Sequence, residues 1–256
     1  MSEDRPVEVE RKGAVLVMAI NRPHRRNAVN RAVSLAMAEA LDLLARDDEL
    51  RVGIVTGRGG TFCSGMDLKA FVDGERPELE GRGFAGVCEA PPAKPLIAAV
   101  EGYALAGGFE LALACDLIVA ADDATFGLPE ALRGLVAASG GLLRLGRRIP
   151  SGIALEYALT AAPIPAQVAR EWGLVNRLVP PGTALDGALE LAGQIAVNAP
   201  LSTMMSKRIM RESRLWSDEE MFDLQRPLAE PVINSQDAQE GARAFAEKRA
   251  PKWSGQ

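Results

Sequence analysis

Residues 101–116 read Glu-Gly-Tyr-Ala-Leu-Ala-Gly-Gly-Phe-Glu-Leu-Ala-Leu-Ala-Cys-Asp, and the rest of the chain is organised around this stretch. The apolar run 95–100 before it predicts a buried strand, and its second half has the composition of a helix. Gly107 and Gly108 let a backbone amide approach a ligand without an intervening side chain. Glu110 follows in the first helical turn, where the helix dipole favours a carboxylate. Two interpretations stay open: close packing with a helix cap, or an amide and a carboxylate that stabilise an enolate and move a proton.

Length, composition and charge narrow the class of protein. The 256 residues are 48% apolar, which is enough to build a sizeable core, and we expect a single domain over residues 1–256. The net charge is −5 and the Lys and Arg residues are scattered, which argues against a nucleic-acid partner. No run reaches the roughly 18 apolar residues of a membrane span, and the acidic N-terminus lacks the apolar segment of a signal peptide. We therefore expect a cytoplasmic protein that binds neither nucleic acid nor membrane.

The cysteines and the single histidine exclude several kinds of site. Cys63, Cys88 and Cys115 have no metal-ligand spacing, so we expect reduced, buried thiols and no metal. His24 is the only histidine and lies in a polar, arginine-rich loop, which argues against a Ser-His-Asp triad or a histidine metal site. Acid–base chemistry must then depend on carboxylates, tyrosines, lysines or cysteines.

Strand and helix patterns alternate over the first 180 residues, and helices dominate afterwards. The start reads as a hairpin over residues 7–20, followed by a loop and a helix that Asn30 caps. Residues 73–82 are rich in Gly, Pro and charge and predict a mobile loop. We interpret the chain as an α/β core over about residues 7–195 with a helical extension over about residues 196–256.

Two further segments carry candidate functional groups. Gly65 allows a backbone kink that would turn the amide of Met66 into a cavity, and Asp67 is placed to cap the helix that follows. An ordinary strand–turn–helix is the alternative interpretation of that segment. Glu130 follows Pro129 at a predicted helix start, where a carboxylate is favourable on electrostatic grounds alone.

Four stretches together resemble the crotonase superfamily, whose members act on acyl-coenzyme A thioesters. They occur in the family's order and at its spacing, and the C-terminal residues 238–252 resemble the family's last helix; the four stretches are 21–28, 62–68, 102–116 and 126–130. Each motif alone is weak, but five in register are specific and span nearly the whole chain. The resemblance implies a crotonase-like spiral of strand–strand–helix repeats. It also implies C-terminal helices that build homotrimers, often paired as hexamers.

The resemblance also assigns residues to roles. The amides of Met66 and Gly107 match the two positions of the family's oxyanion hole for the thioester carbonyl. Glu110 and Glu130 match the two carboxylates of its enoyl-CoA hydratases. The segments that bind the acyl-CoA substrate are matched by Arg26, Ala28, Ser64, Met66, Asp67, Leu68, Gly107 and Gly108, and by Phe245 and Lys248, which in the family can reach the coenzyme from a neighbouring subunit. The resemblance implies a coenzyme A thioester as substrate, with no permanently bound cofactor.

Two carboxylates favour hydration of an enoyl-CoA, with Glu110 activating water and Glu130 supplying the proton at C2. An isomerase, a dehydratase of another acyl-CoA, or a non-catalytic acyl-CoA-binding or RNA-binding relative stay open as alternatives. The sequence departs from the best-known hydratase pattern at Glu101, Ala106, Phe109 and 137–138. The change at 137–138 lies where the acyl chain is expected, so the substrate's acyl group is left unassigned.

Overall fold

A computed structural model describes residues 5–256; the first four residues, part of the acidic N-terminus considered above, lie outside it. The nine strands of the described chain are β1 (Val7–Lys12), β2 (Val15–Ile20), β3 (Val52–Gly57), β4 (Leu96–Val100), β5 (Tyr103–Leu105), β6 (Leu117–Ala121), β7 (Thr125–Gly127), β8 (Ile164–Pro165) and β9 (Arg177–Val179).

The described residues also form ten α-helices and four short 3₁₀ turns. The helices are α1 (Arg31–Arg46), α2 (Leu68–Val72), α3 (Gly107–Ala114), α4 (Gly141–Arg148), α5 (Ser151–Thr160), α6 (Ala166–Glu171), α7 (Ala184–Ala196), α8 (Pro200–Glu212), α9 (Met221–Ile233) and α10 (Gln236–Ala246). The 3₁₀ turns are Pro23–Arg25, Phe84–Gly86, Pro129–Arg133 and Ser213–Leu215.

Two sheets lie at the centre of the fold. The larger has the strand order β1-β2-β3-β4-β6-β9, and every pair in it is parallel except the β1–β2 hairpin. The smaller has the order β5-β7-β8, with β5 and β7 parallel. Successive segments supply one strand to the large sheet, one to the small sheet and then a helix, as in β4–β5–α3. This arrangement confirms the predicted α/β spiral of strand–strand–helix repeats.

The central strands of the large sheet, β2, β3, β4 and β6, are buried on both faces, as parallel strands require. Ile54, Ile97 and Val119 point to one face, where they pack with the alanine stripe Ala184, Ala188 and Ala192 of α7. The alternate residues of the same strands point into the main core. Small side chains every four residues let α7 lie close against the sheet, so one helix covers that face.

Local signals in the sequence fix several helix starts. The side chain of Asn30 accepts a hydrogen bond from the amide of Val33 and caps α1, and Ser235 caps α10 in the same way through the amide of Ala238. Asp67 caps α2 with bonds from two amides. These three caps confirm the predictions made for them.

Two local predictions need correction. Helix α3 begins at Gly107 rather than at Phe109, because both glycines already belong to its first turn. Strand β5 went unpredicted, because its three residues are too few to show a periodic pattern. Within residues 5–256, no helix is long and apolar enough to cross a membrane.

Glu101 joins the corner between β4 and β5 to the start of α7. Its Oε2 accepts a hydrogen bond from the Gly182 amide at 2.9 Å, and its Oε1 accepts one from the Ala184 amide at 2.7 Å. Thr183 is the N-cap residue of α7, but its side chain makes no capping hydrogen bond. A carboxylate at a helix N-terminus satisfies free amides and complements the helix dipole. Glu101 therefore supplies the missing cap from a distant part of the chain.

We expect Glu101→Ala to lower the free energy of unfolding by about 1 kcal/mol, the usual loss when a helix cap is removed. Glu101→Gln keeps an acceptor oxygen and should lose less. Urea denaturation followed by circular dichroism measures both. Glu171→Ala is the matched control, since Glu171 is exposed and makes no side-chain hydrogen bond within residues 5–256. An equal stability for Glu101→Ala and the control would contradict the capping role.

Candidate active site

Three short parallel segments end side by side at one edge of the small sheet, the edge formed by the carboxyl ends of its parallel strands. Cys63 pairs with Ala104, and Ala104 pairs with Phe126, in both cases in parallel. Residues at equal distances after a parallel pair stay near each other, so Met66 and Gly107, each three residues later, are brought together. Ligands of parallel sheets bind at such carboxyl ends. The edge is therefore the natural place for a site.

The backbone just before Met66 lies close to the amide of Gly107. Gly65 has φ +100°, and a Cβ built on it would lie 3.2 Å from the Gly107 nitrogen and 2.9 Å from the Cβ of Ala106. No backbone or side-chain acceptor among residues 5–256 takes a hydrogen bond from either amide. The two N–H groups can therefore serve an oxyanion, as the resemblance implies.

The paired glycines are also required by packing. A Cβ on Gly107 would come within 2.6 Å of the Phe84 ring, and one on Gly108 within 2.2 Å of the Cys63 carbonyl oxygen. Ala106, the residue before them, has φ 52°, a backbone region that non-glycine residues seldom occupy. The close-packing interpretation of this stretch is therefore confirmed, whereas the enolate-stabilising interpretation stays a prediction, for which the Gly107 amide has no competing acceptor in the described chain.

Glu110 is buried in the first turn of α3, with 3% of its surface exposed. Its Oε1 accepts a hydrogen bond from the Gly141 amide at 2.8 Å. Burial raises the pKa of the Glu110 carboxyl, and this hydrogen bond opposes the rise only in part. A carboxyl group whose pKa is raised by burial is a candidate general acid or base.

Glu130 lies in the 3₁₀ turn that follows β7, at the same edge. Its Oε2 is buried, and no residue of the described chain forms a hydrogen bond with it. Burial raises the pKa of the Glu130 carboxyl, and the negative charge of Glu110 raises it further. A buried carboxyl oxygen without a partner is unfavourable unless something else occupies the site. The unpartnered oxygen of Glu130 is therefore a candidate acceptor for a water molecule or a substrate.

The two segments matched to the coenzyme A channel run side by side and form a two-stranded ribbon. The Ser64 amide donates to the Arg26 carbonyl at 3.0 Å, and Met66 is bridged in parallel with Val29. Ala28 is buried beside this ribbon, whereas Arg26 is exposed at its end. The structure thus brings Arg26, Ala28 and Ser64 together with Met66, whose amide is one of the two that have no acceptor.

Asp67 and Leu68 continue the ribbon into α2. The Asp67 carboxylate receives the Arg22 guanidinium at 2.9 Å and also caps α2. Burial opposes ionisation of Asp67, but the Arg22 hydrogen bond and the helix amides outweigh it and hold its pKa below the usual range. Its side chain is therefore already engaged by the protein, while Leu68 is 47% exposed.

Phe245 and Lys248 lie far along the chain, at the end of α10. Phe245 is 88% exposed, and Lys248 is exposed with φ 53°. Within residues 5–256, no hydrogen bond or ion pair joins either residue to the ribbon. The helix is instead tied to the C-terminal tail, where Asp237 accepts hydrogen bonds from Ser254 and Gly255. The chain alone does not bring these two predicted residues to the site.

All three cysteines are buried and none forms a disulfide, in agreement with the prediction of buried, reduced thiols. Burial raises the pKa of Cys63 and of Cys115 to about 12, and it raises that of Cys88 as well. No cluster of three or more His, Cys, Asp or Glu side chains suited to a metal ion occurs in the described part of the chain. The candidate functional groups that the structure places at this edge are backbone amides and carboxyl groups.

Sequence reasoning missed two segments of the site. The turn before α4 supplies the Gly141 amide to Glu110, and the Phe84–Gly86 turn places an aromatic ring against Gly107. The first carries a usable signal, since Gly140 and Gly141 form a second glycine pair at a helix start, as Gly107 and Gly108 do. The second has none, because Phe84 acts through a contact with a residue 23 positions away.

We expect Gly65→Ala to destabilise the protein, by about 1–3 kcal/mol, because the new Cβ would require a left-handed alanine and would press on Ala106. Gly193→Ala is the matched control. Gly193 lies inside α7 with open space around it, and the change should stabilise the helix by about 0.5–1 kcal/mol. Denaturant unfolding measures both. Equal effects of the two alanines would show that the Gly65 backbone is not constrained.

We expect Glu110→Gln to raise Tm at pH 7–8, by about 2–4 °C for each kcal/mol gained. The pKa of Glu110 is raised in the folded state, so the folded carboxyl favours its proton and the protein loses stability as pH rises from about 4.3 through the folded-state pKa. Glutamine keeps an acceptor for Gly141 without the charge. The gain should vanish near pH 4, and Glu171→Gln should show no such pH dependence. A variant that is less stable than the wild type at every pH would contradict this reasoning.

Comparison with known proteins gives a consistent result. The sequence model of the family described as enoyl-CoA hydratase/isomerase matches residues 10–256. A crystal structure of an enoyl-CoA hydratase from Mycobacterium tuberculosis is 58% identical, covers 98% of this chain and 100% of its own, and superposes with a TM-score of 0.97.

Two relatives have a more specific name. A carnitinyl-CoA dehydratase of Proteus mirabilis is 45% identical over 252 residues, which is 95% of this chain and 96% of the relative. The structure of a carnitinyl-CoA dehydratase from Mycobacterium avium is 44% identical, covers 98% of this chain and 99% of its own, and has a TM-score of 0.78. Hydratases of this kind use coenzyme A thioesters without a permanent cofactor, and the relatives support a hydro-lyase. The chain belongs to the enoyl-CoA hydratase/isomerase family of the crotonase superfamily.

Proposed function

We propose that the protein is an enoyl-CoA hydratase, which adds water reversibly across the 2,3 double bond of an enoyl-CoA thioester. The observation that carries the proposal is the pair Glu110 and Glu130, both with a raised pKa, beside two amides that have no acceptor in the described chain. One carboxyl group would serve an isomerase; two that bracket a common space suit the addition of a water molecule.

The thioester carbonyl would be held by the amides of Met66 and Gly107. Water attacks C3, the electrons of the double bond move to the carbonyl oxygen, and an enolate forms. Two converging N–H donors stabilise that developing charge by about 3–4 kcal/mol each. The donors belong to rigid strand–helix junctions, so little reorganisation is needed when the charge appears.

Proton transfer is divided between the two glutamates. Glu110, ionised and oriented by the Gly141 amide, accepts a proton from the attacking water. Glu130, protonated, delivers a proton to C2, and the enolate collapses to the thioester. One proton must then pass from Glu110 to Glu130 before the next turnover. Mutual repulsion favours a single negative charge on the pair, which is the required starting state.

We expect Glu110→Gln and Glu130→Gln each to lower kcat for the hydration of crotonyl-CoA by about 10²–10⁴-fold. Loss of the conjugated absorbance of the substrate measures the rate. Glu171→Gln is the control and should keep the full rate. Full activity of Glu110→Gln would overturn the role given to Glu110, and a wild-type protein inactive on every enoyl thioester would overturn the proposed function.

A second candidate is the dehydration of carnitinyl-CoA, favoured by the names of the relatives at 44–45% identity. Removal of water from a 3-hydroxyacyl thioester is the same reaction in reverse and uses the same groups. The same assay with carnitinyl-CoA distinguishes the two, since the preferred substrate has the higher kcat/KM. The non-catalytic acyl-CoA-binding or RNA-binding alternative is disfavoured by the carboxyl pair and by the net charge of −5.

We also propose that the protein forms a homotrimer or a hexamer. Support comes from large apolar side chains that stay exposed on the C-terminal helices of one chain, namely Leu215, Phe222, Ile233 and Phe245. Contact with a second copy would bury them and would allow Phe245 and Lys248 to reach the coenzyme bound by a neighbour. The single-domain organisation over residues 1–256 and the cytoplasmic location stay predictions from the sequence.

A further inference from the structure

Arg144 is a half-buried arginine of α4 for which the proposed reaction gives no role. Its Nη1 donates to the Ser139 carbonyl at 3.2 Å, and its Nη2 donates to the Cys88 carbonyl. A planar guanidinium can hold two acceptors in a fixed relation, which a point-like ammonium cannot. The side chain therefore joins two loops that are about 50 residues apart in the sequence.

Each of those loops supports one half of the site. The turn that contains Ser139 continues to Gly141, whose amide holds Glu110 at 2.8 Å. The Cys88 loop begins with Phe84, whose ring packs against Gly107, and the Cys88 amide donates back to the Phe84 carbonyl at 3.1 Å. One guanidinium thus lies between the support of the acid–base group and the support of the oxyanion amide.

The backbone makes room for this arrangement. Gly140 has φ +96°, and a Cβ built on it would lie 2.2 Å from the Nη1 atom of Arg144. Glycine adopts this positive φ without strain, and because it has no Cβ it leaves room for the guanidinium against the turn. The turn and the arginine are thus matched, and the position of the Gly141 amide depends on both.

We infer that Arg144 is a positioning residue, which holds the Gly141 amide on Glu110 and the Phe84 loop against Gly107, and so aligns the two halves of the site. The inference rests on the proposed hydratase function for its kinetic consequence. Its structural part, the control of Glu110 through Gly141, stands on the geometry alone.

Removal of the guanidinium also has an electrostatic consequence. The charged and titratable groups that face Glu110 are Glu130 from its 3₁₀ turn, Arg144 from α4 and the Cys88 thiol from its loop. Burial raises the pKa of Cys88, so it is neutral at pH 7. Arg144 is then the cation that favours the ionised form of Glu110 and lowers its pKa. Loss of Arg144 should raise the pKa of Glu110 further and leave less of the base ionised.

The test compares Arg144→Met, Arg144→Lys and the control Arg147→Met. Arg147 lies on the same helix and is exposed, and its side chain makes no hydrogen bond or ion pair within residues 5–256. We expect Arg144→Met to lower kcat on crotonyl-CoA by about 10²-fold, the loss that a displacement of about 1 Å can cause. The acid limb of the pH profile should move to higher pH. Arg144→Lys should recover part of the rate, and Arg147→Met should match the wild type.

A second readout is independent of turnover. The carboxyl carbons of ¹³C-labelled glutamates are titrated by NMR, with the Glu110 signal assigned by its loss in Glu110→Gln. An upward shift of the Glu110 titration in Arg144→Met, but not in Arg147→Met, supports the inference even if the wild type hydrates no enoyl thioester, in which case only the proposed function fails. An unchanged titration in a folded Arg144→Met variant overturns the inference, whatever the activity.

Arg148 provides a structural comparison on the same helix. Its guanidinium donates to the carbonyls of Leu113 and Cys115 at the end of α3, away from Glu110. Arg148→Met should therefore lower Tm without moving the titration of Glu110. If Arg148→Met moves that titration as much as Arg144→Met does, the effect comes from general loosening and the positioning role is wrong.

Discussion

The parallel alignment of Cys63, Ala104 and Phe126 is the constraint on which the site depends. Hydrogen bonds between these short segments fix their register, and the register fixes what lies three or four residues later. Two amides and one carboxyl-bearing turn reach the same edge because their strands end in step. The buried central strands of the larger sheet hold the segments that lead into this edge. The chemistry is therefore a consequence of strand pairing rather than of any one motif.

The site combines groups that would destabilise the fold in the absence of a ligand. Glu110 is buried and Glu130 has an oxygen without a partner, and both carboxyl groups have raised pKa values for the same reason. Ala106 occupies a backbone conformation that alanine seldom adopts. Unfavourable features of this kind persist where the surrounding structure enforces them, and here the enforcing contacts are the Gly141 amide, the Phe84 ring and the buried strands. If these residues carry the proposed reaction, activity and stability make opposite demands on them.

Much of the fold could be predicted from the sequence, because local patterns determine it. Apolar runs marked the buried strands, and polar caps such as Asn30 and Ser235 marked helix starts. The α/β spiral itself came from the resemblance, and the sheet order agrees with it. The pairing of Glu110 with Glu130 also came from the resemblance, because the local sequence of each fits an ordinary helix start, and its catalytic role stays a prediction. Strand β5 escaped notice because three residues carry too little pattern.

What escaped prediction depends on contacts between distant residues. Three such contacts are the Phe84 ring against Gly107, the Arg144 bridge and the Glu101 cap on α7. Each joins residues about 20 to 80 positions apart, and the local sequence of one residue does not identify its partner. Phe245 and Lys248 show the opposite case. Their sequence signal is clear, but the described chain leaves them exposed and away from the ribbon. The coenzyme-binding role proposed for them would therefore require a second copy of the chain.

The burial of the three cysteines has a practical consequence for labelling the protein with thiol-specific reagents. A thiol reacts with maleimides and similar reagents as its thiolate, and a pKa of about 12 leaves about one molecule of Cys63 or Cys115 in 10⁵ ionised at pH 7. The native chain is therefore almost inert to such labels. A cysteine introduced on the exposed end of α10 would be the dominant reactive thiol. A fluorophore attached there would report the approach of another subunit or of the coenzyme without removal of any native residue from the core.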